Sequence, residues 1–284
     1  MRTLAANIQD VFREAAARWT LVAYFVLSSL FILIFAFAVN LDIVDGALAG
    51  ARLFGQSVQM AGERVDLDRL VIGFESGFSA FLYVVGTFLA IFATAHLTPR
   101  LQEKGTIDLY LSRPVGRVNL LASRYVAGML LAASNVVYLV GAIWLIVAWK
   151  TRVFHPRFFL AALVILFAIA VLMAFSFAVG VLTSSTGVSI MATYAIFFFS
   201  AIFAGHEKIE AAMAHDWQAA IVRGLYWVLP KTAELGRAAI ALVGGGAVPR
   251  AMSGSLTALP FTTTAAFGLA CFAAAAWLFQ RKDF

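Results

Sequence analysis

FFLAALVILFAIAVLMAFSFAVGVL, residues 158–182, contains no Asp, Glu, Lys or Arg. A helix needs about 20 consecutive apolar residues to cross the hydrocarbon core of a bilayer, and this run supplies them without a break. Five further stretches repeat the pattern. Trp19 to Leu41 has no charge inside it. Phe74 to Leu97 carries Glu75 near its start and Pro99 just past its end. Leu120 to Trp149 is long enough to tilt or protrude. Gly187 to Gly205 and Leu259 to Phe279 complete the set. A spanning segment must satisfy its backbone internally, and no barrel-like alternation is present, so all six read as helices. The expected fold is an all-α polytopic membrane protein. It forms a single transmembrane domain over residues 1–284, with spans at about 19–41, 74–97, 120–149, 158–182, 187–205 and 259–279.

Composition agrees with this reading. Of 284 residues, 62% are hydrophobic and 13% charged, about half the charge of a soluble domain, and the mean hydropathy is +0.90. The 26 phenylalanines suit lipid-facing and helix-packing positions, and a lone cysteine, Cys271, excludes both an intrachain disulfide and a cysteine metal cluster. The net charge of +6 fits loops facing anionic lipid better than nucleic-acid binding. The first 18 residues are charged and amphipathic, and the apolar stretch after them is too long for a cleavable signal peptide.

An even number of spans puts both termini on one side, and Lys and Arg decide which. With the termini in the cytoplasm, segments 1–18, 98–119, 183–186 and 280–284 hold nine Lys or Arg. Segments 42–73, 150–157 and 206–258 hold eleven, in roughly twice the length. The density favours cytoplasmic termini. The short loop with Lys150, Arg152 and Arg157 argues the other way.

Three segments between the spans carry order of their own. Over residues 2–18, Leu4, Ile8, Val11, Phe12 and Ala15 form the stripe of an amphipathic helix, with Arg2, Asp10, Arg13, Glu14 and Arg18 mainly opposite. Such a helix lies in the lipid interface or caps the bundle in the cytosol. Residues 98–119, TPRLQEKGTIDLYLSRPVGRVN, are the most polar short loop. Gly105 breaks the run, Ile107, Leu109, Tyr110 and Leu111 give an apolar side, and Pro114 ends it. A short helix lying across the membrane face fits. In the longest loop, 206–258, Ile209, Met213, Trp217, Ile221 and Leu225 recur every four residues. This predicts a helix from about Glu207 to Val228 that ends at Pro230, and a second from Thr232 to Val243, closed by Gly244-Gly245-Gly246. The pair either caps a dimer, dips into the interface or packs as surface helices on the bundle.

Few residues suggest chemistry. His206-Glu207-Lys208-Ile209-Glu210 resembles a zinc helix with Glu in place of the second His. With His215 a site is conceivable, but a polar helix face explains the same residues. Gly73-Phe74-Glu75-Ser76-Gly77 looks like an intramembrane serine-protease turn but has no histidine base on a facing span. No phosphate-binding Gly-Lys-Ser/Thr loop occurs, so any ATP is bound by another chain. Glu75 sits within a turn of its span's end, where water reaches it. Arg124 lies early enough in the third span to snorkel. Ser134 and Asn135 read as helix-joining hydrogen-bond groups rather than a substrate site. No catalytic residue, metal or cofactor is assigned.

At residues 98–130 the chain resembles the permeases of type-2 ATP-binding-cassette (ABC) exporters. The resemblance is carried by Glu103-Lys104-Gly105-Thr106-Ile107-Asp108-Leu109-Tyr110-Leu111-Ser112-Arg113-Pro114-Val115-Gly116-Arg117, leading into Leu120-Leu121-Ala122-Ser123-Arg124-Tyr125. The family shows an acidic residue, Gly-Thr, a second acidic residue, apolar residues and a Ser-x-Pro-x-x-Arg run between its second and third spans. Trp277-Leu278-Phe279-Gln280-Arg281-Lys282-Asp283-Phe284 is similar to its closing helix and tail. The resemblance implies that residues 101–113 form a coupling helix docked on a separate ABC ATPase subunit. Glu103, Lys104, Thr106, Asp108 and Arg113 would face that subunit, Gly105 would permit close approach, and Pro114 would end the segment. It also implies a dimer of permeases, usually identical, in the bacterial cytoplasmic membrane, with substrate passing between the first, second and fifth spans. The layout is similar to permeases linked to maturation of copper-containing respiratory enzymes, although no copper site is visible among the seven Met and four His. Two other functions remain open: an ion-coupled transporter working alone, and an assembly subunit without cargo.

Overall fold

The computed structural model describes residues 20–44, 47–53, 56–58, 67–103, 116–213, 215–245 and 256–282. The expected amphipathic helix over 2–18 lies outside them. The first expected span corresponds to α1, Thr20–Ala38. The chain then enters three strands, β1 Val39–Val44, β2 Ala47–Leu53 and β3 Gln56–Val58. They form an antiparallel meander in the order β1-β2-β3, with Val44 opposite Ala47 and Ala51 opposite Val58. The membrane bundle itself is all-α. Its helices are α2 Leu67–Thr94, α3 Leu97–Leu101, α4 Arg117–Thr151, α5 Phe158–Thr183, α6 Thr186–Phe203, α7 His206–Ala212, α8 Asp216–Val228, α9 Thr232–Gly244 and α10 Leu259–Arg281.

Among the described residues, five stretches of helix are long and apolar enough to cross a membrane: Val71–Leu101, α4, α5, α6 and α10. The apolar run Val22–Phe37 of α1 is shorter. At 1.5 Å per residue the 19 residues of α1 still extend about 28 Å. The 35 residues of α4 extend about 52 Å, well beyond the hydrocarbon core, as its length in the sequence predicts.

The uncharged stretch 158–182 forms the middle of the bundle. Helix α5 touches α2, α4, α6, α9 and α10 and buries Phe158, Ile165, Ile169, Leu172, Met173 and Phe177 almost completely. A helix apolar all round has no preferred face and can be surrounded. Against α2, α1 packs through a ladder of rings in which Phe31 and Phe35 meet Phe78 at 5.7 and 5.1 Å. Across α2 and α6, Phe88 stacks on Tyr194 at 4.1 Å. Offset rings at these distances add to the area they bury.

Within this apolar frame some polar side chains join helices, while others bond within their own helix. Ser28 donates to Asn135 Oδ1 at 3.0 Å, and the Ser29 and Tyr138 hydroxyls meet at 2.9 Å, together seaming α1 to α4. Ser134 differs from the expectation, because its hydroxyl donates to Leu131 in its own helix.

Candidate functional site at the two ends of the bundle

Of the expected coupling residues, Glu103 closes one described stretch and is exposed. Lys104, Gly105, Thr106, Asp108, Arg113 and Pro114 lie outside the described residues. The structure does define what holds the segment at each end.

The second span does not run straight into the segment. Helix α2 stops at Thr94, turns at Ala95-His96, and restarts as the single turn α3. Pro99 falls in the first turn of α3, where its missing N–H costs nothing. Leu97, Thr98, Pro99 and Leu101 are all buried. Two glycines make room for this elbow. A Cβ on Gly180 of α5 would sit 3.2 Å from Pro99 Cδ, Thr98 Cβ and Ser189 Oγ. A Cβ on Gly128 of α4 would sit 2.8 Å from Leu97 Cδ1. The elbow is therefore wedged against α4 and α5 immediately before the coupling segment.

Beyond the elbow the contacts are hydrogen bonds. Helix α5 ends at Ser184, which takes the left-handed conformation (φ 52°). A helix leaves its last carbonyls without intrahelical donors. Here Gln102 Nε2 donates to Gly180 O at 2.8 Å, and Lys282 Nζ donates to Val181 O at 2.7 Å. Lys282 Nζ also donates to Gln102 Oε1 at 2.6 Å and to Ser184 Oγ at 2.8 Å. The three N–H groups of the ammonium thus have three acceptors, and the cation faces the negative end of the α5 dipole. Arg117 opens α4 at the far end of the coupling segment. It donates from Nη1 to the carbonyls of Lys282 at 2.8 Å and Gln280 at 3.1 Å. Both ends of the segment converge on residues 280–282.

The opposite end of the bundle is built otherwise. Helix α2 begins at Leu67, earlier than the expected Phe74. Glu75 is consequently inside the helix and only 1% exposed, not solvated. His155, in the short turn between α4 and α5, meets Glu75 Oε2 through Nδ1 at 2.5 Å. In that region Lys150 donates to Ala36 O at 2.6 Å, tying α4 to the end of α1. Arg124, read from the sequence as snorkelling, is 3% exposed and lies within the bundle. Ser76, in the protease-like turn, donates its hydroxyl to Ile72 O at 2.6 Å.

The 206–258 segment supplies the expected helices, with the first divided into α7 and α8. Helix α9 is built into the bundle: Leu235, Ala239 and Val243 are fully buried, and it packs on α2 and α5. A Cβ on Gly236 would lie 3.1 Å from the Tyr83 ring, and Tyr83 Oη donates to Thr232 O at 2.7 Å. Tyr83 is eight residues past Glu75, about 12 Å further along α2, so the turn between α8 and α9 reaches well into the bundle. Ser200 of α6 bonds Pro230 O and receives the Thr232 N–H there, and Thr264 of α10 receives the Lys231 N–H. The Lys231 ammonium is spent on Tyr226 O at 2.5 Å and lies 3.8 Å from the centre of the Tyr226 ring. His206 stacks on that ring at 3.7 Å. Glu210 pairs with Arg223 at 2.6 Å, which holds its carboxyl below the usual range, with His206 adding a smaller effect in the same direction. His206 and Glu210 therefore have structural partners.

Residues 11–284 match the family model described as ABC-2 family transporter protein. The chain belongs to the ABC-2 transporter family. It is thus a multi-pass membrane protein and a permease subunit of an ABC transporter, a family whose members work with an ABC ATPase. No curated protein is similar enough to the chain to be matched with it. Sequence reasoning about this ABC-2 permease missed Gln102, Ser184 and Arg117 as holding residues and gave Lys282 no role. The one available signal was their position: each flanks a span end, where unpaired carbonyls need donors.

Proposed function

We propose that this chain is the membrane subunit of an ATP-driven exporter and receives the work of a separate ATPase through residues 101–113. Glu103, Lys104, Thr106, Asp108 and Arg113 face that ATPase, Gly105 allows close approach, and Pro114 closes the segment. The density of Lys and Arg supports cytoplasmic termini in a bacterial cytoplasmic membrane, which puts the Gln102 end of the bundle on the ATPase side. Two identical permeases and two ATPases make the working unit, embedded among lipids, and the chain does no chemistry itself.

The observation that carries the reading is the wedged elbow. A push on a docked segment does work only if the segment cannot hinge freely where it joins the spans. Leu97–Leu101 is buried against Gly128 of α4 and Gly180 of α5, so a displacement of the segment is passed on to both helices.

The test is capture of the ATPase by the tagged chain from its native membrane in mild detergent, followed by hydrolysis assays. Glu103→Ala with Asp108→Ala should leave membrane insertion intact and lower capture or stimulated hydrolysis about tenfold, equivalent to about 1.4 kcal/mol. Recovery of the unaltered chain without any ATPase, across several detergents, would shift the weight to an ion-coupled transporter or an assembly subunit.

A further inference from the structure

Resting on that permease reading, we propose that Lys282 is a positioning residue that ties the coupling segment to the α5–α6 hairpin and to α10, so that the segment moves these helices as one unit.

The geometry is specific to this residue. Lys282 Nζ reaches one group from each element that must move together: Gln102 Oε1 at the start of the segment, Val181 O at the end of α5, and Ser184 Oγ in the link to α6. Its own carbonyl receives Arg117 Nη1 from the far end of the segment at 2.8 Å. Ser184 also donates to Gln102 Oε1 at 3.0 Å, closing the cluster. Only Ser184-Ser185 separate α5 from α6, so a force on Ser184 acts on both helices. Without the ammonium, Val181 O would lose the donor that Lys282 supplies, and Gln102 would be left with its bonds to Gly180 O and Ser184 Oγ, neither of which reaches α10. The three acceptors are neutral, so the cluster can be remade after a stroke without separating an ion pair.

The test uses the full permease–ATPase complex in lipid nanodiscs. Lys282→Met keeps the aliphatic stem and removes the three donors. It should retain capture of the ATPase and lower permease-stimulated hydrolysis fivefold or more, at the low end of ordinary coupling energies. Lys282→Arg should keep part of the stimulation. Exchanging donor and acceptor, Gln102→Lys with Lys282→Gln, should restore more than either single change does. A second arm needs no ATPase: spin labels at Glu103→Cys and Arg281→Cys, in a Cys271→Ala background, should give a narrow distance distribution that broadens with Lys282→Met. Unchanged stimulation, an unchanged distance distribution, or loss of capture itself would overturn the proposal; the last would make Lys282 a docking residue. If Lys282→Met fails to accumulate, the exchange pair decides. If the unaltered chain captures no ATPase, the permease reading fails, and the distance arm still decides whether Lys282 holds the segment.

Discussion

At the Gln102 end of the bundle, two cations and an amide hold four elements together by donating to backbone carbonyls, an amide oxygen and a hydroxyl. At the Glu75 end, a buried carboxylate meets a histidine, and α9 packs on α2 and α5 with the Tyr83 ring against Gly236. The first end is a set of exchangeable hydrogen bonds around a wedge. The second is fixed by burial and close packing. A bundle built this way has a face on which contacts can be remade and a face that resists change, which suits a permease driven from one side.

The largest effect should come at the packed end. Glu75→Ala removes the partner of His155 in a buried site and is expected to cost about 3–5 kcal/mol, read as a fall in thermal midpoint in detergent. Capture of the ATPase by the protein that remains folded should be unchanged. Loss of capture there would break the division between the two ends. Next is the wedge. Gly180→Val forces atoms into the 3.2 Å contacts with Thr98, Pro99 and Ser189 and should cost about 1–3 kcal/mol, together with stimulated hydrolysis. Gly141→Ala in α4, where a Cβ meets nothing within 4 Å, should stay within about 0.5 kcal/mol of the parent. Equal effects at the two glycines would remove the wedge from the account.

Tyr83→Phe deletes the hydroxyl that holds Thr232 O. The expected loss is about 1 kcal/mol, with faster hydrogen exchange confined to α9. The smallest effect concerns Glu210. Its carboxyl is held below the ordinary value mainly by its hydrogen bond from Arg223. A depressed acid contributes stability that is fully present above its unfolded pKa and is lost as pH falls through its folded pKa. The link between α7 and α8 should therefore hold at neutral pH and loosen only in acid, below the range where a free Glu titrates. Arg223 is 63% exposed, so salt should weaken the link further. A loosening that began near neutral pH would contradict this.

The spans were legible because a run such as 158–182 has one physical meaning: backbone polar groups in lipid must be paired, and a helix pairs them within itself. Thr232–Gly244 was legible as a helix because Pro230 and Gly244-Gly245-Gly246 bracket it. Its burial was not, because an amphipathic stripe looks alike whether it faces lipid, a partner or the bundle. The β1–β2 hairpin carried a signal that went unread: Val39, Leu41 and Ile43 alternate with Asn40 and Asp42 ahead of Asp45-Gly46, a turn pair. Glu75 was misjudged because its depth depends on where α2 begins, and helix ends are set by neighbours more than by propensity.

The amino-acid sequence by itself determined that the chain crosses a membrane as helices, roughly where it does so, and, through residues 98–130, the family to which it belongs. These are local properties, written in composition and short motifs. Only the tertiary structure decided that Leu97 and Pro99 wedge against Gly128 and Gly180 respectively, that Glu75 meets His155, and that Lys282 joins Gln102 to Val181. Each of these contacts links residues 31 to 180 positions apart, and a single sequence holds no record of which distant carbonyl or methylene a side chain will reach once the helices have packed.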